Sequence, residues 1–306
     1  MAEYMSGSDG QTDVKQSSKI ARAGEVTADV KIVDHSRSIG NFNGPSVYIE
    51  GTYGYLLILN QRKDREGSEK DVKNLLSFFE KILFFETDVI DQNTISETEM
   101  DDRINKARNK LNADPNISCF VCVIMAHGAL GTFYVKGGPK TVESVRQAFC
   151  NESLPKFTGR PKVFLLQCCR GDKENKYTTV KDSDLKERMI SVPNDADTLI
   201  AFATTPEHVA YREPYDPEEQ KEQKQERQRQ GSHFLNICID VFKDQYEKKH
   251  LEEMLVRVRE KVNATPFTVL ENDEHILYSQ MACVWSSLTK VLYLKKKLPD
   301  FFYSCR

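Results

Sequence analysis

The sequence predicts an α/β fold built on a mostly parallel central sheet, for three reasons. Short apolar runs at 55–59, 119–126, 162–169 and 198–204 have the length and composition of fully buried strands. Stretches with apolar residues at helical spacing lie between or after them. A chain of 306 residues, 39% hydrophobic and 29% charged, can bury a sizeable core and still keep a charged surface. Strands alternating with helices make parallel sheets, whose ligand sites gather beyond the carboxyl ends of the strands.

Residues 1–40 are rich in Ser, Gly, Asp and Lys without any period, the composition of a disordered leader. Order is expected from near Tyr48, and the run Tyr55–Leu59 is closed by Asn60 and a charged loop. Val72, Leu75, Leu76, Phe79, Ile82 and Leu83 then share a helical face, with Ser68 as the expected N-cap and acids in the first turn. Ser96 followed by Glu99 is a capping-box pattern that opens a second helix to about Leu111, ended by Asp114-Pro115. The buried strand Cys119–Ala126, a helix over 141–149, the run Lys162–Cys169 and the strand Thr198–Thr204 follow. Two helices, 233–248 and 251–262, precede short apolar runs at 281–284 and 291–294.

Two polar stretches break this rhythm. Asp172–Asp195 is longer than most loops of compact domains and is expected to be exposed. Glu213–Gln230 holds ten charges in 18 residues and no apolar stripe to dock it. Across the whole chain, 43 basic and 46 acidic residues leave a net charge of −3, so no global field draws it to nucleic acid or an anionic membrane. No window approaches 18 uninterrupted apolar residues and the first 30 residues are polar, so neither a spanning helix nor a secretory signal is expected. The expected address is the cytoplasm. The eight cysteines, mostly set in apolar runs, read as reduced small hydrophobes rather than disulfides.

Chemistry concentrates at two strand ends. His127 leaves one buried run and precedes Gly128; Cys168, Cys169, Arg170 and Gly171 leave another. Parallel strands ending at one sheet edge can join imidazole and thiol, the requirement for a thiolate nucleophile. On residue types alone the pair reads equally as two satisfied core residues. The surrounding motifs decide between these readings. Gln167-Cys168-Cys169-Arg170-Gly171 resembles the caspase pentapeptide with Cys168 in the Ala place, and His127-Gly128 resembles that family's His-Gly turn, with Ala126 where Ser is usual. Arg65-Glu66-Gly67-Ser68 leading to Asp71, Arg212 after Thr204-Thr205-Pro206, Gly231-Ser232 and Leu288-Thr289-Lys290 extend the likeness, in order, over roughly 45–295.

The resemblance to the caspases, and in particular to short-leader executioner types, implies a role for each of these residues. Cys169 is then the nucleophile, His127 handles protons, and the backbone N–H groups of Gly128 and Cys169 receive the oxyanion. Arg65, Gln167 and Arg212 line a slot for the residue before the cut, and two guanidiniums converging there call for a carboxylate, hence Asp. Tyr211 and His233 stand where aromatics of outer subsites are usual, and Glu207 replaces a Gly. The insert 213–230 beside them reads either as a solvated loop or as a lid or exosite for protein substrates.

The caspase-like fold further implies large and small subunits cut from one chain: a leader over 1–40, a large subunit over 41–182, a cleavable linker over 183–195 and a small subunit over 196–306. An enzyme cutting after Asp finds exposed sites in itself at Asp182 and Asp184, and at Asp9 and Asp13 in the leader; small following residues favour Asp182 and Asp9. The implied partners are protein substrates, a second subunit pair forming a dimer, an upstream caspase and an inhibitor-of-apoptosis protein, with no nucleic acid, membrane, metal or cofactor. Two other functions compete: a catalytically silent relative acting as a dimerising scaffold, and a protease of the same fold that cuts after basic residues. The intact Cys169, His127, Gln167, Arg65 and Arg212 disfavour the first, and the two pocket arginines disfavour the second. Cys119 and Cys122 form a C-x-x-C, but on a strand their odd spacing sends them to opposite faces, away from redox or metal chemistry.

Overall fold

The computed structural model describes residues 46–48, 52–170, 193–208, 210, 231–265, 267–271 and 274–294. Its centre is a six-stranded sheet. The strands, in chain order, are β1 (Tyr53–Gln61), β2 (Glu86–Gln92), β3 (Ile117–Met125), β7 (Lys162–Gln167), β8 (Thr198–Phe202) and β11 (Cys283–Ser286). The spatial order is β11-β8-β7-β3-β1-β2, with every pairing parallel except the antiparallel edge strand β11. A small antiparallel sheet of β4 (Gly128–Ala129), β5 (Thr132–Val135) and β6 (Gly138–Thr141) follows His127 directly. A hairpin of β9 (Phe267–Glu271) and β10 (Glu274–Tyr278) completes the strands.

The helices divide between the two faces of the sheet. Leu56, Ile58, Val121, Val123, Met125, Val163 and Leu165 pack on the face covered by α1 (Ser68–Phe79), α4 (His233–Gln245) and α5 (Leu251–Asn263). Their neighbours Leu57, Leu59, Phe120, Cys122, Ile124, Phe164 and Leu166 pack on the opposite face with α2 (Glu97–Ala113) and α3 (Val142–Ala148). This is the period-2 alternation of a strand buried on both sides, and it explains why β1, β3 and β7 read as unbroken apolar runs. Cys119 and Cys122 fall in different clusters, as their spacing predicts.

Element by element, the expectations hold at the strand cores and at α2. The capping box is present: the Ser96 N–H donates to Glu99 Oε2 at 2.9 Å and the Glu99 N–H to Ser96 Oγ at 3.2 Å. Ser68 is a correction. The cap of α1 is Gly67, whose φ of 81° a residue with a Cβ adopts only with strain, while the Ser68 hydroxyl is buried and accepts from Asn60 Nδ2 at 3.2 Å. The helix also stops at Phe79, so Ile82 and Leu83 belong to the turn that follows. The run 291–294 forms no strand among the described residues; Val291 makes a single bridge with Val47. No helix among the described residues is long and apolar enough to cross a membrane.

Candidate active site

Register brings the two chemical strand ends together. Met125 of β3 pairs with Gln167 of β7, so His127 and Cys169 each lie two residues beyond a matched position on adjacent parallel strands. Neighbouring strands lie about 4.8 Å apart. The Ala126 N–H still donates to the Gln167 carbonyl at 3.3 Å, which keeps the strands together past the ladder. Gly128 is then pressed on the cysteine pair: a Cβ there would stand 2.6 Å from the Thr132 carbonyl, 3.0 Å from that of Cys169 and 3.1 Å from Cys168 Cβ. Only glycine allows this approach.

The imidazole of His127 is exposed, and its Nε2 lies 3.2 Å from the Asp64 carbonyl. A carbonyl can only accept, so Nε2 carries the proton and Nδ1 is the basic nitrogen. Asp64 itself holds a φ of 53°, a left-handed turn that Asp tolerates better than most residues. Cys169 is half-buried with Sγ 4.0 Å from the Ala210 carbonyl. Among the described residues no hydrogen bond joins Cys169 to His127 directly. Cys168, by contrast, is buried in the core beneath the site, and burial pushes its thiol up to about 12 against the pull of Arg65 and Arg170. A thiol that resists ionisation is a poor nucleophile.

Arg65 turns inward. Only 4% of it is exposed, and its Nη1 donates to Asn60 Oδ1 at 2.9 Å and to the Gln61 carbonyl at 3.3 Å. Asn60 is itself fixed, because its Nδ2 donates to Asp91 Oδ1 at 2.9 Å. Gln167 is buried at the end of β7, and its Oε1 has no hydrogen-bond partner among the described residues. Arg65 lies close enough to the Cys168 thiol, which follows Gln167, to act on it electrostatically, so the Arg and the amide share one end of the sheet. Tyr211 and Arg212, like Asp9, Asp182 and Asp184, lie outside the described residues. His233 opens α4 and is 7% exposed; its ring bonds the Val262 backbone, its Nε2 has no hydrogen-bond partner among the described residues, and burial holds its pKa below the ordinary value. Glu207 is exposed with φ 69°, and its N–H donates to the Arg170 carbonyl at 2.9 Å, tying the segment after β8 to the one after β7.

Sequence reasoning missed several supports. The Asp64 carbonyl has no side-chain signature. Asn60 and Gln61 end an apolar run with two amides, and that abrupt change was the available signal for the Arg65 cradle. Asp71 reaches across the molecule to the start of α4, where its carboxylate accepts from the Ser232 N–H at 2.7 Å and hydroxyl at 2.5 Å. It thereby caps a helix 161 residues away in sequence, which only the fold reveals. Among the described residues no cluster of His, Cys, Asp and Glu is arranged to hold a metal.

A thiol and an imidazole at the ends of two paired parallel strands, with a buried Arg at the same carboxyl edge of the sheet, define the class of cysteine hydrolases. Comparison with known proteins gives the family. A model of the caspase domain matches residues 53–293, most of the chain. Curated relatives include caspase-3 of Mus musculus, 27% identical over 283 residues, 87% of this chain and 93% of that protein. Caspase-7 of Gallus gallus is 26% identical over 237 residues, 75% and 70% of the respective chains. The crystal structure of caspase-1 from Spodoptera frugiperda shares the fold at TM-score 0.67 and 23% identity, covering 85% of this chain and 97% of that one. The protein belongs to the caspase family of cysteine proteases.

Proposed function

We propose that the protein is an Asp-directed cysteine endopeptidase of the executioner type, made as a zymogen and cut at linker Asp residues. It works in the cytoplasm, in apoptosis, as a dimer of large and small subunit pairs. The observation that most supports this reading is the registered placement of His127 and Cys169 past the Met125–Gln167 pair, with Gly128 packed on the cysteine backbone.

The chemistry follows from those positions. His127 Nδ1 takes the Cys169 proton, and the thiolate attacks the scissile carbonyl carbon. The N–H groups of Gly128 and Cys169 hold the oxyanion, a donor of this kind being worth roughly 3–4 kcal/mol. As the tetrahedral intermediate collapses, the C–N bond breaks and the amine leaves with the proton from His127. Water, deprotonated by the same imidazole, then hydrolyses the thioester and restores the thiol. Arg65, with Arg212 and the Gln167 amide, grips the carboxylate of the residue before the cut. Replacing that Asp by Asn leaves the guanidiniums poorly paired, at a cost of about 10⁴-fold or more in kcat/KM.

The test is a pair of peptides differing only as Asp or Asn before the cut, given to the wild type and to Cys169→Ala. Cleavage of the Asp peptide alone, lost in the variant, is expected; equal rates on both peptides would refute the pocket. The silent-scaffold reading draws on the missing direct bond between Cys169 and His127, and hydrolysis that depends on Cys169 disposes of it.

A further inference from the structure

An amide stands between Arg65 and an acid of β2. Asn60, near the end of β1, is fully buried and pairs in register with Asp91. Its Nδ2 donates to Asp91 Oδ1 at 2.9 Å and to Ser68 Oγ at 3.2 Å, and its Oδ1 accepts from Arg65 Nη1 at 2.9 Å. These partners fix the orientation of the amide, because only its nitrogen can donate to a carboxylate and only its oxygen can accept from a guanidinium. At other places in the fold a cation meets a carboxylate directly. Arg103 and Lys106 hold Asp88, and Arg146 pairs with Asp195. Asp91 instead meets Arg62, whose Nε lies 3.4 Å from Oδ1.

The loop that Asn60 supports is short and closed on itself. The Arg65 N–H donates to the Arg62 carbonyl at 2.8 Å, the Ser68 N–H donates to the Arg65 carbonyl at 3.2 Å, and Arg65 Nη1 also donates to the Gln61 carbonyl at 3.3 Å. A carboxylate in the place of Asn60 Oδ1 would hold the guanidinium in the same geometry but would cancel much of its pull on a second anion. The neutral amide supplies the geometry alone. We propose that Asn60 is a specificity-determining positioning residue: it aims the Arg65 guanidinium through a neutral acceptor and keeps the charge of Asp91 off it. The positive charge is thereby left for the carboxylate of the residue before the cut. This inference rests on the endopeptidase reading above, in which Arg65 grips that carboxylate. It assigns Asn60 no contact with substrate; the residue acts through Arg65.

Exchanging the two side chains tests the idea. In the double variant Asn60→Asp with Asp91→Asn, the amide at position 91 donates to the carboxylate at position 60. The hydrogen bond persists, reversed, while the negative charge moves from the edge strand to a place against Arg65. On a quenched peptide with Asp before the cut, KM is expected to rise about 100-fold, with kcat within about threefold and the urea midpoint near that of wild type. Asp91→Asn alone keeps an oxygen for Asn60 Nδ2 and should match wild type, which ties the effect to the charge beside Arg65. Should the exchange fail to fold, Asn60→Ala, which takes the acceptor from Arg65, must raise KM about tenfold at nearly constant kcat. An unchanged KM in a folded variant, or a fall in kcat without a rise in KM, would overturn the inference while wild-type cleavage after Asp stands. A wild type that cleaves no Asp peptide would instead fell the endopeptidase reading, and this inference with it.

Discussion

The two ends of the central strands treat buried polar groups in opposite ways. At the amino ends of β7 and β8 they are matched. Lys162 Nζ donates to Asn151 Oδ1 at 2.9 Å and to the Arg160 carbonyl at 3.3 Å. Asp197 Oδ1 accepts from the Tyr48 hydroxyl at 2.7 Å and the Thr289 hydroxyl at 2.6 Å, and Arg146 pairs with Asp195. Just past the carboxyl ends, Gln167 Oε1, Thr204 Oγ1 and Arg170 Nε are buried with no hydrogen-bond partner among the described residues. An unpaired buried polar atom costs about 1–3 kcal/mol. The amino edge is thus built to hold the chain together, tying residues near Tyr48, Asp197 and Thr289 into one knot. The carboxyl edge keeps polar capacity that folding alone does not use, as a site awaiting a polar ligand would.

Substitutions at the two edges should separate these roles. Cys169→Ala is expected to lower kcat/KM on an Asp peptide by at least about 10⁴-fold while the urea midpoint stays nearly constant. Survival of cleavage would break the comparison at once. Asp197→Ala should do the reverse. Stranding the Tyr48 and Thr289 hydroxyls costs about 2–4 kcal/mol of unfolding free energy, read from urea curves, with kcat/KM within about twofold of wild type below the transition. A large catalytic loss at unchanged stability would show that the amino edge also governs the site.

Cys168→Ala sharpens the contrast within the carboxyl edge itself. It removes one buried sulfur, so stability should fall by about 1 kcal/mol while Asp-peptide cleavage persists. Loss of hydrolysis at intact stability would reassign the nucleophile.

How far the sequence foretells this arrangement differs along the chain for physical reasons. β1, β3 and β7 are legible because both faces are covered and every position must be apolar. β2 is not, because it is an edge strand carrying Asp88 and Asp91; Asp88 is tolerated in a buried position by Arg103 at 2.6 Å and Lys106 at 2.7 Å. The sheet β4–β6 is rich in glycine and short, so its alternation is visible only at Phe133 and Val135. In the candidate site, His127, Cys169, Gln167 and Arg65 stand in local motifs and can be read directly. The Asp64 carbonyl, the Asn60 support and the Asp71 cap cannot, since each depends on which loops the fold sets side by side.

Pairing at the amino edge is tested most directly by pH. Lys162 is fully buried, and burial lowers its pKa from 10.5 to about 8, offset in part by Asp197. Below about pH 8 the folded and unfolded chains both hold the proton, and the cost of the buried charge is constant. Between about pH 8 and 10.5 the folded chain has released the proton while the unfolded chain keeps it, so unfolding takes one up. Stability contributed by this group therefore rises with pH through that window and is lowest at neutral pH and below. Lys162→Met removes the titration, so the wild-type minus variant difference in unfolding free energy should climb between pH 8 and 10. Buried cysteines and tyrosines that titrate nearby cancel in that difference. A difference that stays flat, or falls, would mean that the bonds to Asn151 and Arg160 keep the ammonium charged in the folded state through this window as well.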